Sequence, residues 1–230
     1  VLYGAYLFES ILYKSADCII ALSPGMAHNI SNRFPNAKVH TITNSANTKL
    51  FKPSYPKNKE KFALYTGNIG AVNNSELLIA AAKNLLSRGR GDIHIKIIGD
   101  GQLYLELLGR VKVEEITNLS ILHSVPKNEL INYYNRAFVS VVPLLDLQLL
   151  DTSSPNKLYE SLAAGLPIIQ TTQGWIKDLL EEHQCGFTIN AKQPDALAEL
   201  LIKLYEDPQL CEAMGVRGRE LAEKEFDSDK

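Results

Sequence analysis

Apolar residues recur along the chain in two alternating rhythms, and the alternation predicts its architecture. Tyr3, Leu7 and Ile11, joined by Phe8 and Leu12, fall at helical spacing and predict an amphipathic helix over residues 2–14. The compact run C-I-I-A-L at 18–22 has the length and β-branched content of a strand. Ser23-Pro24 behind it is a helix start, predicting a helix over 25–33, and residues 39–42 predict another short strand. The next stretch, N-S-A-N-T-K-L-F-K-P-S-Y-P-K-N-K-E-K, is polar and rich in proline and lysine, which predicts a linker.

From Phe62 onward strands and helices alternate regularly. Strands are predicted at 62–66, 93–98, 119–122 and 138–142. Helices between them are marked by Leu77, Leu78, Ala81 and Leu85, by Leu103, Leu107 and Val111, and by Leu130, Tyr133, Tyr134 and Ala137. Leu197, Leu200, Leu201 and Leu204 mark a late helix, and Leu210, Met214 and Leu221 a last one. This alternation predicts an α/β fold built on a Rossmann-like, doubly wound parallel sheet. Right-handed crossovers then bring every strand's carboxyl end to one edge, where function belongs.

The stretch L-D-T-S-S-P-N-K-L-Y-E-S-L-A-A-G-L-P-I-I-Q-T at 150–171 follows the fourth of these strands. Pro155 suits a first helical position and Ser154 can cap the helix. Lys157 then falls in the first turn, where the helix dipole disfavours a cation unless an anion binds there too. Glu160 shares the face of Lys157, while Leu158 and Leu162 mark the core side. Gly165 and Pro167 end the helix, and Ile168-Ile169 open a short strand.

Composition narrows the function classes. The 230 residues are 45% hydrophobic and 22% charged with a net charge of −2, an ordinary globular balance without the basic excess of a nucleic-acid footprint. Cys18, Cys185 and Cys211 are odd in number, widely spaced and form no C-x-x-C pair, which argues against both a disulfide framework and a zinc site and fits a reducing cytosol. No apolar run approaches the ~20 residues of a membrane span, so the sequons at Asn29, Asn73 and Asn118 carry no weight. The chain opens at Val1 inside a helical pattern and reads as a fragment.

The 150–171 stretch resembles the signature of retaining GT-B glycosyltransferases, the large family that includes sucrose synthases and many bacterial sugar-polymer transferases. E-S-L-A-A-G-L-P matches the second half of that family's Glu-x7-Glu motif, and S-P-N-K resembles the subset that transfers amino sugars in surface-polysaccharide assembly. The first carboxylate is replaced by Thr152. The resemblance implies that residues 1–45 are the tail of an amino-terminal acceptor domain, 46–61 an inter-domain linker, and 62–230 a nucleotide-sugar-binding domain.

It also assigns the edge. Gly67 and Gly70 in T-G-N-I-G allow close backbone approach, so their amides can cradle a diphosphate; Asn68 and Asn73 or Asn74 stand where the family carries arginine and lysine. The resemblance adds Gly99, Asp100 and Gly101 at a strand end, which read equally as a tight turn with Gln102 opening a helix. Val125 is expected to meet the base. His123 reads as a packed strand-end histidine, and Asp146 and Asp151 as solvated loop acids. Glu160, acceptor-only when ionised, suits a ribose diol. Thr152, Ser153 and Ser154 occupy the place of the transferred sugar, and Pro155, Asn156 and Leu158 complete the donor-binding turn. Catalysis is expected from Asn68, Lys157 and Glu160; Asn68 and Lys157, with the Gly67–Gly70 amides and the helix start at Ser154, stabilise charge on the leaving diphosphate. No metal or other cofactor is expected, because the predicted edge carries no Asp-x-Asp pair or histidine cluster to supply ligands.

The implied partners are a nucleoside-diphosphate sugar, UDP-linked in the first instance, and a glycan or lipid-linked acceptor, with no nucleic acid. The implied location is cytoplasmic, with peripheral contact at the inner membrane face through the amino-terminal domain. These residues alone are expected to bind donor and transfer nothing. A non-hydrolysing nucleotide-sugar epimerase and a catalytically inactive nucleotide-binding subunit are the rival readings. A dinucleotide dehydrogenase ranks last, because no G-x-G-x-x-G follows a strand with an acid ~20 residues on.

Overall fold

A computed structural model describes residues 2–53 and 61–229. The amino-terminal part holds two helices, α1 (Leu2–Ser15) and α2 (Pro24–Arg33), and two parallel strands, β1 (Ile19–Ala21) and β2 (Val39–Thr41). Ser23 caps α2 as its sequence suggests, accepting a hydrogen bond from the Met26 amide.

The larger part is a parallel sheet of β3 (Phe62–Thr66), β4 (His94–Ile98), β5 (Leu119–Leu122), β6 (Ala137–Val142), β7 (Ile168–Gln170) and β8 (Gly186–Thr188), in the order β5-β4-β3-β6-β7-β8. The chain winds outward from β3 to one side and returns to the other through β6. The crevice at the carboxyl ends of β3 and β6 is therefore the topological switch point. Helices α3 (Ser75–Ser87), α4 (Tyr104–Val113) and α8 (Pro194–Glu206) cover one face; α5 (Lys127–Arg136), α6 (Asn156–Ala163) and α7 (Trp175–Glu182) cover the other. The last helix, α9 (Pro208–Glu225), reaches both cores through Met214 and Leu221. Alternation within the strands explains the double coverage: Ala63 and Tyr65 of β3 enter one core, Phe62 and Leu64 the other. The α7–β8 unit was not predicted from sequence, since G-F-T is too short a strand to carry a period of two.

Two expectations need correction. Residues 46–51 are not a free linker, although they are polar. Ala46 bridges to Asp227, Phe51 is buried, and Arg219 Nη1 donates to the carbonyls of Thr48 (2.9 Å), Phe51 (2.8 Å) and Ala163 (2.6 Å). The remainder of the predicted linker, 54–60, lies outside the described residues. Gln102 opens no helix, because α4 begins at Tyr104. Gly99 and Gly101, expected at donor binding, also answer a packing need. A Cβ on Gly99 would sit 1.8 Å from the Gly67 carbonyl oxygen, and one on Gly101 would sit 2.4 Å from that of Ile69. The turns after β3 and β4 thus interlock backbone to backbone, with Ile69 N donating to Asp100 O and Leu103 N to Ile69 O.

This interlock makes Gly99→Ala a sensitive probe. The variant is expected to lose about 1–3 kcal/mol of stability, the usual cost of forced overpacking, measured as a lowered urea midpoint. An unchanged midpoint would mean that the two turns can part freely.

Candidate functional site

Two positions far apart in sequence meet at the switch point. Lys157, in the first turn of α6, extends under the turn after β3: its Cε lies 3.1 Å from where a Gly67 Cβ would be. The side chain is buried, with Nζ 3.2 Å from the Tyr65 hydroxyl, 3.3 Å from Asn73 Oδ1 and 4.3 Å from the centroid of the Tyr65 ring. Every one of these contacts is neutral. Burial consequently pushes the amine down to about 8, against a smaller upward pull from the Glu160 carboxylate. Burial likewise raises the Tyr65 phenol, which stays protonated and donates to the Asn68 carbonyl at 2.6 Å.

The glycine cradle is narrower than expected. Gly67 N donates to Ile98 O and Ile69 N to Asp100 O, both parts of the turn interlock. Among the described residues only the Asn68 and Gly70 amides of that turn are left for a ligand. The Asn68 side chain is exposed and lies across the turn, its Nδ2 2.6 Å from a would-be Cβ on Gly70.

The start of α6 differs in detail from its sequence reading. Pro155 is the cap and Asn156 the first helical residue, and Ser154 does not cap because its hydroxyl is shared with the Tyr159 hydroxyl at 2.6 Å. No side chain caps the helix, which leaves its first amides, including those of Asn156 and Lys157, free. Leu158 belongs to the core, not to a ligand site: it is fully buried and its amide donates to Pro155 O. The Thr152 hydroxyl, expected near the transferred sugar, is turned to the Leu149 carbonyl at 2.9 Å.

Glu160 is buried on the same face as Lys157. Its Oε1 lies 3.1 Å from Lys127 Nζ, and its Oε2 accepts from the Tyr134 hydroxyl at 3.3 Å, which is also within 2.8 Å of Thr66 Oγ1. Lys127, Tyr134, Tyr65 and Asn73 were not singled out as ligand-site groups by the sequence reading, except that Asn73 was noted at a position usually cationic. Buried tyrosines on a strand and a helix look like ordinary core until the fold aims their hydroxyls.

His123 is not packed as expected. It is 73% exposed at the end of β5, stacked on Tyr104 at 4.2 Å, with Nδ1 2.6 Å from Asp100 Oδ1. Hydrogen bonds from Ser124 and then His123 hold the exposed Asp100 carboxyl at about 2. Val125 is half-buried against the second core, between β5 and α5. Asp146 pairs with Lys192 at 2.8 Å, and Asp151 accepts from the Gln173 amide at 2.8 Å, so neither is a freely solvated acid. No group of three or more His, Cys, Asp or Glu able to hold a metal ion occurs among the described residues. No helix there is long and apolar enough to cross a membrane.

A family model described as glycosyl transferases group 1 matches residues 47–221. The chain belongs to this family. It is 23% identical over 221 residues to an uncharacterized glycosyltransferase of Methanocaldococcus jannaschii, covering 96% of this chain and 58% of that protein. It is 26% identical over 246 residues to the capsular polysaccharide biosynthesis glycosyltransferase CapM of Staphylococcus aureus, covering 97% of this chain and 61% of that one. The chain thus spans about three-fifths of the length of these curated relatives. Among solved structures, HepE of Anabaena in complex with UDP-glucose superposes with a TM-score of 0.76 at 16% identity, over 95% of this chain and 62% of that one. The likeness establishes the GT-B type of α/β fold for this chain.

The depressed amine has a measurable consequence. A folded state that disfavours the charged lysine binds fewer protons than the unfolded chain between about pH 8 and the ordinary lysine value of 10.5. The stability contributed by this site therefore rises with pH across that window. Lys157→Met is expected to remove a rise of order 3 kcal/mol, seen when urea unfolding of both proteins is compared at pH 7 and pH 10. Parallel pH profiles would show that the amine is not desolvated.

Proposed function

We propose that this chain is the donor-binding half of a retaining glycosyltransferase that takes a UDP-sugar and serves a glycan or lipid-linked acceptor in bacterial surface-polysaccharide synthesis, with hexosyl or N-acetylhexosaminyl transfer. The observation that carries the reading is Lys157: a buried cation without a bonded counter-ion, beside free helix amides and free turn amides, at a topological switch point. That arrangement lacks an anion, and a diphosphate supplies two linked ones. Helix N-termini and backbone nests are general anion sites, and donors fixed before the reaction stabilise charge as it develops on a leaving group.

In this reading Lys157, Asn68 with the Asn68 and Gly70 amides, and the start of α6 hold the diphosphate. Glu160 receives the ribose diol, with Lys127 and Tyr134 fixing its two oxygens beforehand. Val125 faces the base, and Thr152, Ser153 and Ser154 border the sugar. No metal takes part. The acceptor site belongs to sequence beyond this chain, so the chain by itself binds donor without transfer. The location is cytoplasmic, at the inner face of the membrane. CapM acts in capsular polysaccharide biosynthesis and HepE binds UDP-glucose, which supports the substrate class.

One observation favours a second reading, a nucleotide-binding subunit without catalysis: the Thr152 hydroxyl is spent on Leu149, leaving no side-chain group in place of the usual carboxylate. Transfer by the full-length protein, lost in Lys157→Met, would exclude it.

Calorimetric titration without metal tests the donor reading. UDP is expected to bind more tightly than GDP or ADP, and binding above pH 8 to draw a proton onto Lys157. Affinity for UDP then falls by up to tenfold per pH unit beyond that point. Lys157→Met is expected to weaken UDP by about tenfold or more, the scale of a charge-assisted hydrogen bond. Glu160→Gln should weaken UDP while leaving inorganic diphosphate unaffected. Failure of all three nucleotides to bind at millimolar concentration would refute the reading for this chain.

A further inference from the structure

The loop before α6 is held by an unusual set of partners. Three successive carbonyls each accept one side-chain hydrogen bond, and each donor comes from a different element. Thr152 O accepts from Ser23 Oγ at 2.6 Å, Ser153 O from Trp175 Nε1 at 2.8 Å, and Ser154 O from Asn44 Nδ2 at 2.7 Å. Trp175 opens α7 and belongs to the same sheet unit as the loop. Ser23 and Asn44 do not. They follow β1 and β2 at the carboxyl edge of the small amino-terminal sheet.

Fixing a carbonyl fixes its peptide plane: the Ser153 plane sets the direction of the Ser154 N–H, and the Ser154 plane sets the entry into Pro155, which has no N–H of its own. The three tethered planes lead directly into Pro155 and the uncapped first turn of α6, where Asn156 and Lys157 present their amides. Ser23 is buried at 0% exposure with both hydrogen-bonding roles filled, donating to Thr152 O and accepting from Met26 N. Gly25 packs against Thr152 next to it, its would-be Cβ 3.2 Å from the Thr152 Cα. The contact is therefore close-packed as well as hydrogen-bonded.

We propose that Ser23 and Asn44 are positioning residues for the ligand loop, and that docking of the amino-terminal segment onto the sheet unit sets residues 152–157 in their anion-binding form. Trp175 holds the middle of the loop at all times. Ser23 and Asn44 hold its two ends from the amino-terminal segment, so the loop's form depends on that segment as well as on the sheet unit. The proposal rests on the donor reading only for its choice of ligand.

Asn44→Asp is the sharpest variant, because it keeps the shape of a half-buried side chain and removes its donor. Ser23→Ala removes the second tether, and Ser23→Thr restores a hydroxyl. UDP and uridine are titrated into the chain, and hydrogen exchange of the amides at 153–158 is followed without nucleotide. Asn44→Asp and Ser23→Ala are each expected to weaken UDP by about fivefold, the scale of one neutral hydrogen bond, to leave uridine unchanged, and to speed exchange at 153–158. Ser23→Thr should return all three toward wild type. Equal weakening of UDP and uridine, or unchanged exchange, would overturn the proposal. If the wild-type chain binds no nucleotide, the donor reading falls and the exchange result alone decides this one.

Discussion

The structure depends on keeping one ammonium group dry. Lys157 is buried against a phenol, a carboxamide and an aromatic face, none of which carries charge. Removing a cation from water without a bonded partner is costly, and the depressed amine is the trace of that cost. The surroundings are arranged around it. Gly67 has no Cβ where the lysine stem passes, and its φ of +120° is one that other residues rarely adopt. Tyr65 supplies both a ring face and a hydroxyl, and that hydroxyl is anchored on the Asn68 carbonyl, so the turn and the lysine are braced by one side chain.

The sheet makes this possible by bringing distant segments to one edge. Tyr65 and Lys157 are 92 residues apart, yet β3 and β6 are neighbours and their carboxyl ends open side by side. The interlocked turns after β3 and β4 then stiffen one wall of the crevice, while Arg219 ties the far end of α6 to residues 48–51 through three carbonyls. A helix fastened at its carboxyl end and left uncapped at its amino end presents its free amides in a fixed direction. That combination binds an anion more readily than a capped helix would, because no local side chain competes for the amides.

The layering was legible in the sequence because long, periodic segments such as 75–87 and 194–206 announce their faces. The glycines of T-G-N-I-G and the S-P-N-K segment were legible as lying at one sheet edge, where Lys157 does meet Gly67, and Lys157 stood out by its mismatch with the helix dipole. What was not legible were pairings between segments remote in sequence. Nothing local shows that Gly99 packs against the Gly67 carbonyl, 32 residues earlier in the chain. The polar composition of 44–53 concealed a buried Phe51 held by Arg219, and Ser154 looked like a cap until Tyr159, one helical turn on, claimed its hydroxyl.

The two ends of the site are consequently built on different principles. At the anion end, side chain and backbone are both committed by the rigid sheet edge. At the T-S-S end, Thr152 and Ser154 turn their hydroxyls inward to Leu149 and Tyr159, and all three carbonyls are taken by tethers. The Ser153 hydroxyl and the backbone amides are then the main polar groups the loop can offer. A surface of that kind is richer in fixed backbone groups than in free side-chain acceptors, and a carboxylate accepting from two neighbouring hydroxyls would discriminate among diols far better. The loop's shape is in turn held from two sides, by Trp175 within the sheet unit and by Ser23 and Asn44 from the amino-terminal segment.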